Sequence, residues 1–265
     1  MKNRLLYIFF PFIIVYLLFL GLPLVRMLTF NSLGYLISDT SSGIVASIYY
    51  TYIIALVVAL IAVLFSIPYS FIFARKRSLG YRLADSIIEV PIMIPSTVVG
   101  VMMLITFEPQ MPVGHFIGMI VPEYTFSDSL LAVILTLLFV SSAYSIRIIG
   151  ASYRREILQY EEVATTLGID EMKSFFLVSL PMLTKSIVRG VILSWARAIS
   201  AVGSILIVAY YIYPGFQQIA GVFIYSQFLG SGLPPAAASS AILIITGIIV
   251  LALLRIFGGR DAFIY

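Results

Sequence analysis

Six apolar stretches, at 5–25, 45–74, 87–107, 130–150, 187–211 and 238–257, each approach or exceed the roughly 20 residues a helix needs to cross a bilayer core. No other sequence feature restricts the fold as strongly. A backbone in lipid must satisfy its own hydrogen bonds, which leaves helices or a closed barrel, and a barrel would show alternating strands of about 10 residues. Composition agrees, since 61% of the 265 residues are apolar and 11% charged, against about half and about a quarter in soluble domains. With a mean hydropathy of +1.09, a water-soluble globule would expose more apolar surface than monomers tolerate. The sequence therefore reads as an all-α polytopic membrane protein, with six transmembrane helices in a single domain over 1–265. The first stretch follows Lys2 and Arg4. It is longer than a signal-peptide core of about 7–15 residues and no small-x-small cleavage site follows, so it is read as a retained helix.

The charges are few but ordered. Fourteen of the sixteen basic residues fall on one side of the expected spans: Lys2 and Arg4; Arg75, Lys76, Arg77 and Arg82; Arg147, Arg154, Arg155, Lys173, Lys185 and Arg189; Arg255 and Arg260. The opposite loops, 26–44, 108–129 and 212–237, hold only Arg26. The positive-inside rule then places both termini in the cytoplasm. The net charge of +4 thus reflects topology, not a basic domain for nucleic acid. In 212–237, Pro214, Gly215, Gly230, Gly232, Pro234 and Pro235 are expected to break any regular element. Cysteine is absent, which excludes disulfides and thiolate chemistry. His115, the one histidine, reads as solvated in an external loop, and no metal site is expected. The sequence carries no internal repeat of the secondary-transporter kind, no phosphate-binding loop and no nucleophile elbow. It is not expected to be an enzyme or to hold a cofactor.

The segment between spans four and five is far longer than a hairpin requires. Ile157, Tyr160, Val163, Ala164 and Leu167 recur at helical spacing. Gly168 fits a helix stop, and Asp170 can cap a second short helix over 171–178, ending before Pro181. Two short helices meeting at a glycine form either a hairpin lying in the membrane interface or a docking element for a soluble partner.

Glu162-Val163-Ala164, then Gly168, then Val178-Ser179-Leu180-Pro181 resembles the EAA loop of ABC importer membrane subunits, here a cytoplasmic coupling loop over 154–181. Val163 departs mildly from the family's alanine. The run from Val90 to Gly100 is similar to a core segment of molybdate, tungstate and sulfate permeases. Ser194 to Ser200, continuing through Ala209-Tyr210-Tyr211, looks closest to archaeal molybdate/tungstate permeases. The resemblance implies a type I ABC importer (MetI-like) transmembrane fold in the cell membrane. It also implies a homodimer that forms the translocation pathway, two cytoplasmic ABC ATPase subunits that use ATP and Mg, and an extracellular substrate-binding protein. Glu161 and Glu162 would meet basic groups of the ATPase, Val163 and Ala164 would lie in the contact with Ala164 allowing close approach, Gly168 would make the turn, and Leu180-Pro181 would close the motif.

Arg197 lies about 15 Å into the fifth stretch, near mid-membrane, where an unsupported guanidinium costs about 2.5 kcal/mol or more. It is either a positive group beside the path of a dianionic oxyanion or a structural arginine. The family places a glutamate four residues on, where this chain has Ala201. Where this chain has Ser96, relatives often carry histidine. Ser96, Thr97, Ser200 and Ser204 join Arg197 as pathway candidates, although small residues in spans commonly serve packing. A sulfate or thiosulfate permease is the alternative within the class. A stand-alone secondary transporter would need mid-membrane carboxylates or inverted repeats.

Overall fold

A computed structural model describes residues 4–30, 40–75, 78–153, 155–215 and 217–257. Lys2, Lys76, Arg77, Arg154 and Arg260, which enter the charge pattern, lie outside the described residues. The chain is helical: α1 (Arg4–Thr29), α2 (Thr40–Arg75), α3 (Leu79–Met93), α4 (Ser96–Phe107), α5 (Pro112–Ile120), α6 (Leu130–Ser152), α7 (Arg155–Thr166), α8 (Glu171–Ile199), α9 (Val202–Val208), α10 (Ala220–Ser231) and α11 (Leu233–Phe257). Helices α1, α2, α6, α8 and α11 are long and apolar enough to cross a membrane, and the bent pair α3–α4 makes a sixth candidate span.

The core is a three-helix contact among α2, α6 and α8. Lipid tails are as apolar as leucine, so helices in a bilayer associate by close packing and interhelical hydrogen bonds. Small residues supply both here. Ala55, Ala59 and Ala62 of α2 are fully buried, and Gly190 of α8 sits against Ile149 and Ser145 of α6. Ser66 and Ser145 hydroxyls are hydrogen-bonded at 2.7 Å, and Ser194 donates to the Ser141 carbonyl at 3.0 Å. Trp195, the one tryptophan, donates its indole N–H to the Tyr52 carbonyl at 3.1 Å. Around this core α4 packs on α9, and α10 on α11. Helix α1 rests against α11 and turns Phe12, Val15, Tyr16 and Phe19 outward.

Four expectations need correction. The third stretch is not one helix: it bends by 116° between α3 and α4, at extended Ile94 and Pro95, because the proline ring disfavours helical backbone at the residue before it. The fifth begins at Glu171, not 187, and breaks at Ser200–Ala201, where Ala201 leaves helical geometry at φ −84°, ψ 52°. Pro181 does not end a helix. A turn of π-helix, Phe175–Ser179, precedes it, with the Leu180 N–H bonded to the Phe175 carbonyl, and the wider turn lets the helix pass the residue that lacks a donor. Finally, 212–237 is not irregular, since α10 occupies Ala220–Ser231 and Pro234 and Pro235 sit in the first turn of α11, where proline's fixed φ suits a helix start.

Candidate functional site

Helix α7 presents two faces of opposite kind. Ile157, Glu161 and Ala164 are 5%, 8% and 6% exposed, while Tyr160, Val163 and Leu167 are 57%, 56% and 76% exposed. The apolar periodicity in the sequence merged these: one stripe seats the helix, the other faces outward. The helix ends in a Schellman motif at Gly168. The Ile169 N–H bonds to the Ala164 carbonyl at 3.1 Å and the Gly168 N–H to the Thr165 carbonyl at 3.0 Å, with Gly168 at φ +84°. Only glycine takes that conformation at little cost. Asp170 occupies the position before Glu171 without a side-chain cap.

The inward face centres on Glu161. One oxygen of its carboxylate pairs with Arg75, the last residue of α2. The other accepts from the Tyr153 hydroxyl at 2.6 Å and from the Ser179 hydroxyl. Arg75 is fixed in turn: its Nη1 donates to the Phe71 carbonyl at 2.8 Å, and its guanidinium carbon lies 3.4 Å from the Phe71 ring centroid. Burial, followed by the hydrogen bond to Glu161, pushes the Tyr153 hydroxyl above its ordinary pKa, which keeps it protonated and donating. Where the sequence points Glu161 at an outside basic group, the structure turns it inward: it is 8% exposed and takes three donors, Arg75, Tyr153 and Ser179, from within the chain. Glu162 is exposed and lines, with Thr165 and Glu171, a cleft of about 910 Å³ that reaches Arg75. Ala164 packs inward, Leu180 is half-buried, and Pro181 is exposed in the first turn after the π segment. Arg75 enters the sequence reading only as a topology charge and Ser179 only within the Val178–Pro181 motif, and Tyr153 not at all; nothing in the sequence joins them to Glu161, because they meet it only through tertiary packing.

The second cluster forms where the two broken helices meet. A side-chain carbon on Gly203 would fall 2.6 Å from Ser96 Oγ and 3.1 Å from Thr97 Cγ2, so the start of α4 abuts the start of α9. One on Gly100 would fall 2.7 Å from the Ser204 carbonyl oxygen. The break leaves the first turn of α4 without a side-chain cap, and its free N–H groups carry the positive end of the helix dipole. Arg197 donates to Ser200 Oγ at 3.3 Å and stands 5.8 Å from the Tyr144 ring. Among the described residues no carboxylate lies within ion-pair distance of it, and Ala201 is fully buried in the apolar core. Ser200 donates to the Arg197 carbonyl at 2.9 Å. Ser204 must be withdrawn as a pathway residue: it is fully buried, and its hydroxyl bonds to the Ala201 carbonyl at 3.0 Å. No metal-ligand cluster occurs among the described residues.

Residues 66–260 match the family model of the binding-protein-dependent transport system inner membrane component. The chain belongs to this family. This permease is 33% identical over 252 residues to the molybdate/tungstate transport system permease protein WtpB of Pyrococcus abyssi, covering 94% of this chain and 92% of that one. It is 31% identical over 247 residues to the WtpB protein of Methanocaldococcus jannaschii, covering 93% and 94%. A probable sulfate transport system permease protein, cysT of Chlorokybus atmophyticus, is 30% identical over 212 residues, 78% of this chain and 71% of that one. Among solved structures, a bacterial alginate ABC transporter in complex with an alginate pentasaccharide-bound periplasmic protein aligns with 99% of this chain and 96% of its own, at a TM-score of 0.75 and 16% identity. At that identity the likeness speaks to fold, and the fold is that of an ABC importer permease. The chain is thus a multi-pass membrane permease subunit of an ABC importer.

Proposed function

We propose that this permease forms, as a homodimer, the translocation pathway of a molybdate/tungstate importer, with both termini cytoplasmic. ATPase subunits dock on α7 and the start of α8. The observation that carries the docking is the outward stripe of Tyr160, Val163 and Leu167 beside Glu162 and Glu171. Large apolar side chains flanked by carboxylates suit a partner groove with an apolar floor and basic rim. ATP and Mg are used by that partner, and an extracellular binding protein delivers the oxyanion.

The pathway runs past the α4 and α9 breaks, where Ser96, Thr97, Ser200 and Arg197 offer hydroxyls and one positive charge. Non-helical backbone at membrane depth is tolerated where it is enclosed by protein or lines a water-filled cavity. A single arginine with hydroxyls holds a dianion weakly, which suits passage, since a conducting site must also release. The molybdate/tungstate reading rests on two near-full-length relatives; the sulfate permeases support the second reading, because the two dianions share charge and tetrahedral shape. ATP turnover of the reconstituted complex with its binding protein tests this. Stimulation by molybdate or tungstate at concentrations where sulfate is silent supports the proposal, and stimulation by sulfate alone reverses it.

A further inference from the structure

Glu161 is bonded to every helix of the bundle's central contact. Arg75 ends α2, Tyr153 follows the last turn of α6, and Ser179 lies in the π turn of α8, and all three donate to this one carboxylate of α7. Apolar contacts already seat α7, since Ile157 packs with Tyr153 and Leu183 beneath Phe71 and Leu158. They resist separation but allow sliding and rotation, because apolar contact is non-directional. Charge-assisted hydrogen bonds are directional, and here the cation is itself held by the Phe71 carbonyl and ring. From Ser179, α8 continues about 30 Å, at 1.5 Å per residue, to the break at Ser200–Ala201.

We propose that Glu161 is a positioning residue that makes α7 move as one body with the ends of α2, α6 and α8. A displacement applied to the outer face of α7 then reaches the breaks beside Arg197 and Ser96 instead of being absorbed by rotation of α7. The inference rests on the reading that α7 receives the ATPase.

The test uses the complete complex in proteoliposomes, with whichever of molybdate, tungstate or sulfate stimulates the wild type, and measures oxyanion imported per ATP hydrolysed. Glu161→Gln keeps the shape and the acceptor for Tyr153 and Ser179 but removes the ion pair. It is expected to leave ATPase copurification intact and ATP turnover within about twofold, while import per ATP falls about tenfold, the scale of one charge-assisted contact. Tyr153→Phe removes the charge-assisted bond to Glu161 and the two 3.4 Å bonds from Arg75 while keeping the ring beside Arg75, and a fall of several-fold is expected, because a hydrogen bond to a charged group is stronger than a neutral one. An unchanged import-to-ATP ratio in both variants overturns the proposal. So does a parallel loss of copurification and import, which would mean that Glu161 only seats the helix. Failure of the wild-type chain to retain the ATPase would instead remove the docking reading, and this inference with it.

Discussion

At the scale of single residues, Gly100 and Gly203 keep α4 and α9 in contact, but their neighbours yield differently. The atom nearest a side chain on Gly203 is the Ser96 hydroxyl, whereas on Gly100 it is a backbone carbonyl oxygen that cannot rotate away. Gly100→Ala should therefore lower the thermal stability of the purified protein by about 1–3 kcal/mol, as overpacking does, and Gly203→Ala by less. Equal, negligible effects would mean that the two half-helices are not packed this closely. Arg197 has no carboxylate partner among the described residues and only a hydroxyl and a ring nearby, so its charge is available to an anion. Arg197→Ala should reduce oxyanion-stimulated ATP turnover by at least several-fold and leave basal turnover nearly unchanged, by the loss of a charged hydrogen bond of about 1.5–3 kcal/mol. Equal loss of both rates would mark it as structural.

At the scale of elements, the spans were legible in the sequence because length and hydropathy are local properties, and so was the turn at Gly168, which needs a backbone few residues adopt. Replacing Gly168 by alanine meets no steric neighbour, so its cost is conformational alone, about 1–2 kcal/mol for a left-handed residue. The expected readout is a lower melting temperature with weaker ATPase retention; an unchanged protein would mean that the α7–α8 turn is not held in this conformation. Proline position was ambiguous in sequence. Pro95 breaks a span, Pro234 and Pro235 lie in the first turn of α11, and Pro181 sits inside α8 just after its π turn; the difference depends on whether a helix begins there or the backbone widens to accommodate the ring. The break at Ser200–Ala201 contains neither proline nor glycine and lies where α9 packs against α4, a tertiary contact that local sequence does not reveal. The two faces of α7 were equally hidden. A glutamate at 161 reads as solvent-facing, and only the convergence of three other helices turns it inward.

For the whole molecule, the division is between surfaces that lipid or a second subunit can cover and one that neither reaches as readily. Outward Phe12, Phe19, Leu64 and Ile248 belong to long apolar helices, where lipid is the natural solvent. Tyr160, Val163 and Leu167 lie on a helix whose remaining exposed residues include Glu156, Gln159, Glu162 and Thr166, so a protein partner is the better cover for them. The fold places this helix against Arg75 at the end of α2, Tyr153 just past α6 and Ser179 of α8, with the pathway candidates at two helix breaks farther along; under the proposed function, the partner acts at the first and the pathway responds at the second. The most direct measurement of that arrangement is retention of the ATPase by the affinity-purified permease, comparing wild type with Val163→Asp/Leu167→Asp. Those positions are exposed and carry no internal hydrogen bond from their side chains, so the double variant should fold and span normally. The expected result is stoichiometric ATPase with the wild type and at least a tenfold loss with the variant, in keeping with two apolar contacts of about 1 kcal/mol or more each. Undiminished ATPase on a correctly folded variant would contradict docking at α7.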